Sequence, residues 1–459
     1  TAEFAALTRD VAKVFAGADL ERYFREVVEP SSLDAALYRQ VNLYAHGRFP
    51  HNLAFVKNLL TAYTRTGTFD PAAWEQLVRN YWFYDEGLRS RFFEFLSRTN
   101  RLQAELQAAR ALSATGVVTR FVGEAEVWLC HFETAQPRLR TLAEACPGCG
   151  ETATRAAALE RSLGNLEAAS AIEQKLSQYD HRDTAALARL GELHADREDY
   201  ARARPWWNRI AEIEPGKSDG YLESATVFWD YFLYDDALAQ LRRGRERLAQ
   251  PALYAYEAGA IYENKREYAR AIEEYARGAT AAGDESRERA RLIALARRPA
   301  HKDQIESLTA KLAAGVDPDP GAVNLRVALL DAQNRRDDLE RYLATLADSA
   351  ATVESAARVR EIAERQGFAR VQERALARGV ALATDSGDQI RARLALIQFQ
   401  ESNGGLGAAR QGMDELYLDH PLSRGVVRAA VDFHWRNKDA RRAVEILEQA
   451  ARSAYPELS

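Results

Sequence analysis

The residues of this 459-residue chain that invite a metal or redox reading are its three cysteines and eight histidines. The pentapeptide CPGCG, Cys146 to Gly150, holds two thiols two residues apart, a spacing that suits a zinc site, a redox couple or a local disulfide. A redox pair of the kind that opens a helix should follow a strand, and no strand pattern precedes this one. Zinc would need two more ligands, and the nearest in sequence are Cys130 and His131. A helix of about 15 residues would separate them from Cys146, a span of about 22 Å that one ion cannot bridge. Two expectations remain for Cys146 and Cys149: free thiols inside a cell, or a disulfide in an exported protein. Cys130, in VWLCHF, reads as a small packing residue at a helix end.

Other catalytic groupings are missing. The chain has no phosphate-cradling glycine loop, no HExxH, no GxSxG and no strand-borne carboxylate pair, and its histidines are scattered singly. The expectation is a protein without catalytic residues, cofactor or metal. Arginine clusters occur in LAQLRRGRERLA and SRERARLIALARR, but Glu246 and Glu288 interrupt them and no aromatics interleave. With a net charge of -5 they read as solvated helix faces rather than a phosphate-tracking stripe, so nucleic acid is not an expected partner. No run of about 18 apolar residues occurs, which predicts no membrane-spanning segment.

The elements that carry these residues are helical. Apolar residues make up 47% of the chain and charged residues 28%, a folded composition. Amphipathic runs of about 11 to 15 residues, broken at Gly, Pro, Asp or Asn, extend from end to end. A chain this long exceeds a single core unless it repeats, and it does. Gly123, Ala157, Gly191, Ala225 and Gly259 follow one another at a spacing of 34, as do Ala135, Ala169, Ala203, Ala237 and Ala271. Between them runs a bulky series, Phe132, Leu166, Tyr200, Tyr234 and Tyr268. Each unit reads as a first helix, a tight turn, a second helix and a second turn, with Pro147 and Pro215 as stops after the second helix. The small residues let the two helices approach near the lower end of the usual range of about 8–10 Å.

The segment 184–217 resembles a tetratricopeptide repeat, with Leu190, Gly191, Tyr200, Ala203, Trp207 and Pro215 at the signature positions. Ile210, Ser224, Gly244 and Ala249 depart from that pattern. The resemblance implies an all-α, right-handed α-solenoid, a superhelix of roughly 12 to 13 stacked helix pairs. Its expected organisation is 1–115 as degenerate repeats, 116–285 as five in-register repeats, and 286–459 as degenerate repeats with a joint at 297–323, where Pro299, Pro318 and Pro320 cluster. One pair cannot bury its apolar face alone, so neighbours stack.

The resemblance also implies which positions line the concave groove. They are Glu192 in one repeat, Leu222, Thr226, Trp229 and Asp230 in the next, and Tyr256, Glu263 and Asn264 in the one after. Trp229 and Tyr256 are the expected anchors, with packing against a neighbouring repeat as the competing role. Glu192, Asp230 and Glu263 predict an apolar and acidic groove. The acidic tails of chaperones are unsuitable partners, because the family positions that would hold Lys and Asn carry Ala188 and Glu192, then Leu222 and Thr226. The expected function is a non-catalytic scaffold binding a protein or peptide segment. The alternatives are a self-associating structural solenoid and, behind it, an enzyme on a helical toroid. Thr1 in place of Met reads as a trimmed or processed start, and leaves the compartment open between cytoplasm and export.

Overall fold

The structure, a computed structural model, describes residues 2–146, 148–282 and 285–454; Pro147, expected as a stop between repeats, lies outside them. The described residues form 27 α-helices with no strand among them. They divide into two compact units, Thr1–Glu214 and Pro215–Ser459.

The 34-residue period is visible in the helix boundaries. Second helices begin at Phe132, Leu166, Tyr200, Tyr234 and Tyr268, and first helices at Gly116, Gly150, Thr184 and Ser218. The next first helix, Ala255–Asn264, starts three residues late, after the turn at Gln250–Tyr254. All five alanines of the second-helix series are 0% exposed, so each sits where two helix backbones come closest. The bulky series behaves differently: these residues open the second helix and stay half-buried or exposed, with Phe132 at 37%.

The repeat-series glycines on first helices, Gly123, Gly191 and Gly259, each face the side chain 16 positions later. Gly191 faces Trp207 and Gly259 faces Tyr275, and both aromatic side chains are buried at 0% and 1% exposure. A Cβ at Gly191 would stand 2.5 Å from Trp207 Cε2, and one at Gly259 would stand 2.5 Å from Tyr275 Cε1. Gly123 faces the smaller Leu139, whose Cδ2 would stand 3.0 Å from an added Cβ.

The turn inside each pair has a second regularity. Cys130, Glu198, Phe232 and Arg266 have φ near +60°, and Gly164, at the same phase of the repeat, has φ +81°. Around each of them the chain reverses by paired bonds, as in Phe232 N–H to Trp229 O and Leu233 N–H to Phe228 O. This is the left-handed helix end that glycine favours, and four of the five repeats build it from residues with a Cβ.

Within the first unit an aromatic-rich core runs from Ala5 to Ala125 and includes Phe24, Phe55, Trp82, Phe92 and Phe93. Asp70 caps the helix Pro71–Tyr81 by accepting from Ala73 N–H at 3.0 Å. In the second unit the proline-rich stretch 297–323 contains two helix starts, with Pro299 and Pro320 each in the first turn. One apolar cluster joins Tyr275, Leu292, Ile305, Leu325 and Leu329 across that stretch. Consecutive pairs thus stack within each unit, and the fold is an all-α solenoid of helix pairs.

Candidate functional site

The residues expected in the groove divide between the units, with Glu192 in the first and the other seven in the second. On the helix Ser218–Asp230, Leu222, Thr226 and Trp229 share one face by their i, i+4, i+7 spacing. Leu222 and Trp229 are half-buried, while Thr226 and Asp230 are exposed. The Thr226 hydroxyl is already engaged, donating to Leu222 O at 2.9 Å.

On the helix Ala255–Asn264 the packing role expected as the competitor for Tyr256 is present. Its ring lies 5.8 Å from that of Tyr275, and the Arg287 guanidinium sits 4.4 Å above it. Glu263 receives the Tyr275 hydroxyl at 2.8 Å and both arms of Arg291, Nε at 2.7 Å. Burial pushes the Glu263 carboxyl up, but the Arg291 and Tyr275 hydrogen bonds outweigh it and hold the group below its ordinary range. Asn264 is exposed.

Of the acids expected in the groove, Glu192 is paired with arginine as Glu263 is. Glu192 accepts Arg161 Nη1 at 2.9 Å, and the same guanidinium takes Asp196 through Nε at 2.6 Å. Arg287 pairs with Glu257 at 2.8 Å. These pairs join first helices of successive repeats. Elsewhere in the first unit the buried Arg89 and Arg120 both reach the part-exposed Glu151, Arg120 also donates to the Thr152 hydroxyl, and the exposed Arg155 reaches the buried Glu124 through Nε at 3.3 Å. Burial pushes the Glu151 carboxyl up even with two guanidinium groups beside it. These pairs form a ladder that ties first helices of neighbouring repeats to one another.

A cavity away from the positions the resemblance implied lies in the second unit. A cleft of about 170 Å³ opens between the helices Pro320–Ala332 and Val353–Gln366. Val323, Leu346, Val359 and Ile362 form its apolar floor, each no more than 7% exposed. Asn324, Arg358 and Glu361 stand at the rim with Asp317, whose carboxylate accepts from Ala351 N–H at 3.2 Å. Neither the Asn324 amide nor the exposed Arg358 guanidinium has a side-chain partner among the described residues. The sequence signal was the run Ser355, Val359, Ile362 with Arg358 and Arg365 alongside, one turn apart on a single helix.

Cys146 and Cys149 are joined as a disulfide across the turn between the helices Phe132–Ala145 and Gly150–Ser162, with Cα atoms 5.3 Å apart. Cys130 is not the packed residue expected; it is exposed, at a left-handed turn position. Among the described residues no three His, Cys, Asp or Glu side chains gather as a metal site. No helix of the described residues is long and apolar enough to cross a membrane.

No protein-family model matches the sequence, and no curated protein matches it. Among solved structures, the chain is similar to a tetratricopeptide repeat protein from Parabacteroides merdae, at 10% identity over 69% of this chain and 96% of that one, with a TM-score of 0.28. It is also similar to a structure of Naa15/Naa10 bound to HypK-THB, at 12% identity over 97% of this chain and 68% of that one, TM-score 0.31. A third is yeast Tom70, at 10% identity over 87% and 96%, TM-score 0.25. In its own helix pairs, 34-residue period and matched Gly–aromatic contacts, this chain has the tetratricopeptide type of helical-repeat fold.

Proposed function

We propose that the chain is a non-catalytic scaffold that docks a protein segment against the first-helix faces of its second unit. The cleft between Pro320–Ala332 and Val353–Gln366 is the observation that supports this reading. An apolar cavity of about 150 Å³ holds a benzene-sized group, so the floor of Val323, Leu346, Val359 and Ile362 suits one Leu or Phe anchor. The rim supplies what an extended segment needs beside such an anchor. Asn324 offers a donor and an acceptor to a peptide group, and Arg358 offers a cation to a carbonyl or carboxylate. Trp229 and Tyr256, on other first helices of the same unit, are secondary contacts in this reading.

The test is selection of displayed peptides on the full chain, followed by affinity measurement on variants. Peptides with an apolar anchor next to an acidic or amide residue should be enriched, and Arg358→Glu should weaken them about 10- to 100-fold. Arg358 is exposed, so the helical melting curve should stay where it was. Peptides that bind equally well to Arg358→Glu, Trp229→Ala and Tyr256→Ala would remove this surface from the function.

A further inference from the structure

His434, on the helix Arg424–Arg436, is 1% exposed, and among the described residues neither of its ring nitrogens has a hydrogen-bond partner. Folds rarely leave a buried polar group in that state. Two carboxylates face the ring without bonding to it. Asp414 Oδ1, on the helix Leu406–Asp419, lies 3.4 Å from Nε2, and Asp439 Oδ2, in the turn before the helix Ala440–Ala454, lies 3.9 Å from Nδ1. Both carboxylates are engaged by other groups. Arg442 donates to Asp414 Oδ1 through Nε and Nη2, each at 3.0 Å, and its backbone N–H donates to Asp439 Oδ1 at 3.2 Å. Arg410 Nη1 lies 3.7 Å from Asp439 Oδ2.

Neither protonation state of the ring suits this arrangement. A neutral imidazole carries one N–H, so between two carboxylates its other nitrogen turns a lone pair towards a negative charge. A proton would supply the second donor, but it would set a third cation beside Arg442 and Arg410, against two carboxylates, on a ring that water does not reach. Burial pushes the His434 pKa down, Arg442 and Arg410 push the same way, and Asp414 and Asp439 pull against them without prevailing. The packed ring is therefore neutral. The same groups tie two helices together across it. Arg442 of Ala440–Ala454 grips Asp414 of Leu406–Asp419 at the oxygen that faces His434, and the Tyr417 hydroxyl donates to Ile446 O at 3.5 Å.

We propose that this cluster is an acid-sensitive latch: a proton taken up by His434 frees the helix Ala440–Ala454 from the helix Leu406–Asp419. The ring carries its charge only where water reaches it, and parting these helices admits water. Opened, His434 titrates near the ordinary value of about 6.5; packed, it titrates lower. The latch is thus fully closed above about 6.5 and loosens as pH falls through the packed value. It lies apart from the cleft at 320–365, and its failure would leave the segment-docking proposal untouched.

Hydrogen exchange of the full chain at about pH 7.5 and about pH 5.5, corrected for the intrinsic pH dependence of exchange, tests it. Opening of the amides in Ala440–Ala454 should become at least about 3-fold more frequent at the lower pH, and by no more than about 10-fold per pH unit, the limit for one proton. The amides of Pro320–Ala332 should not follow. His434→Phe keeps a ring in the site that cannot titrate, and it should remove the pH response of Ala440–Ala454. Nuclear magnetic resonance of the His434 ring gives a reading that needs no variant: in the folded chain it should titrate below about 6.5. Opening that ignores pH, the same response in His434→Phe, a loss shared equally by Pro320–Ala332, or a ring that titrates at or above about 6.5 would overturn the latch.

Discussion

Replacing Gly191 by Ala should be among the most damaging single-methyl changes in the chain, and the cost can be worked from the contact. The added Cβ would stand 2.5 Å from Trp207 Cε2, with Nε1 and Cδ1 closer still. Ordinary carbon contacts need about 3.5–4.0 Å, so the two helices must part by about 1 Å or the indole must turn. The indole has nowhere to go: Trp207 is 0% exposed, and its Nε1 donates to Ala188 O at 3.1 Å. Overpacking costs about 1–3 kcal/mol, and an orphaned buried N–H adds about 1–3 kcal/mol. The expected total is about 2–6 kcal/mol. Gly123 provides the control, because its added Cβ would lie 3.0 Å from Leu139 Cδ2, the end of a flexible side chain. Gly123→Ala should change stability by less than about 1 kcal/mol. Native-state hydrogen exchange of the amides in Thr184–Ala195 and Tyr200–Ile213 measures the local opening free energy. Trp207→Leu should recover at least half of the loss in Gly191→Ala, since leucine fills this position opposite Gly123. Equal effects of Gly191→Ala and Gly123→Ala, or no recovery, would refute the overpacking reasoning.

The remaining predictions follow from the turns, the ion pairs and the cysteines. Glu198→Gly should stabilise the chain by about 0.5–1 kcal/mol in a thermal melt, because φ +58° disfavours a Cβ; Gly164→Ala should do the reverse. Glu151→Leu removes the carboxylate shared by the buried Arg89 and Arg120 guanidinium groups; with Glu151 itself 39% exposed and Arg120 keeping Thr152, it should cost about 1–3 kcal/mol in urea unfolding. The Glu263 carboxyl is held below its ordinary range in the fold. Its stabilisation is therefore complete above the unfolded value of about 4.3 and fades as pH falls through the lower folded value. The stability gap between the parent and Glu263→Gln should accordingly close on acidification. Without reductant, a thiol-alkylating reagent should label only Cys130, and reduction should add Cys146 and Cys149.

The period was legible because every unit buries the same backbone approach. Ala135 and its four successors must be small, and the sequence cannot hide that. The left-handed turns were not legible, because only Gly164 announces one, while Cys130, Glu198, Phe232 and Arg266 adopt the same conformation under tertiary constraint. Two of the acids expected in a groove turn out to be paired with arginines of neighbouring repeats. Arg161 reaches Glu192 across 31 residues and Arg291 reaches Glu263 across 28, just under one period. Opposite charges at that spacing signal a ladder between repeats, and counting acids on one helix does not reveal it. The cleft at 320–365 lay where the period fades, so its stripe on Val353–Gln366 had no register to draw attention to it.

The stacking of helix pairs in chain order is the claim on which the rest depends, and a spin-label distance across one period tests it most directly. Arg140 and Gln174 are exposed equivalents on Phe132–Ala145 and Leu166–Tyr179, and both of those helices pack on Gly150–Ser162. Two interaxial steps place the labelled backbones within about 20 Å of each other. With Cys130 replaced by Ser and labels at the two sites, dipolar spectroscopy should return one narrow distance in that range. A broad distribution, or a distance beyond about 40 Å, would contradict the account.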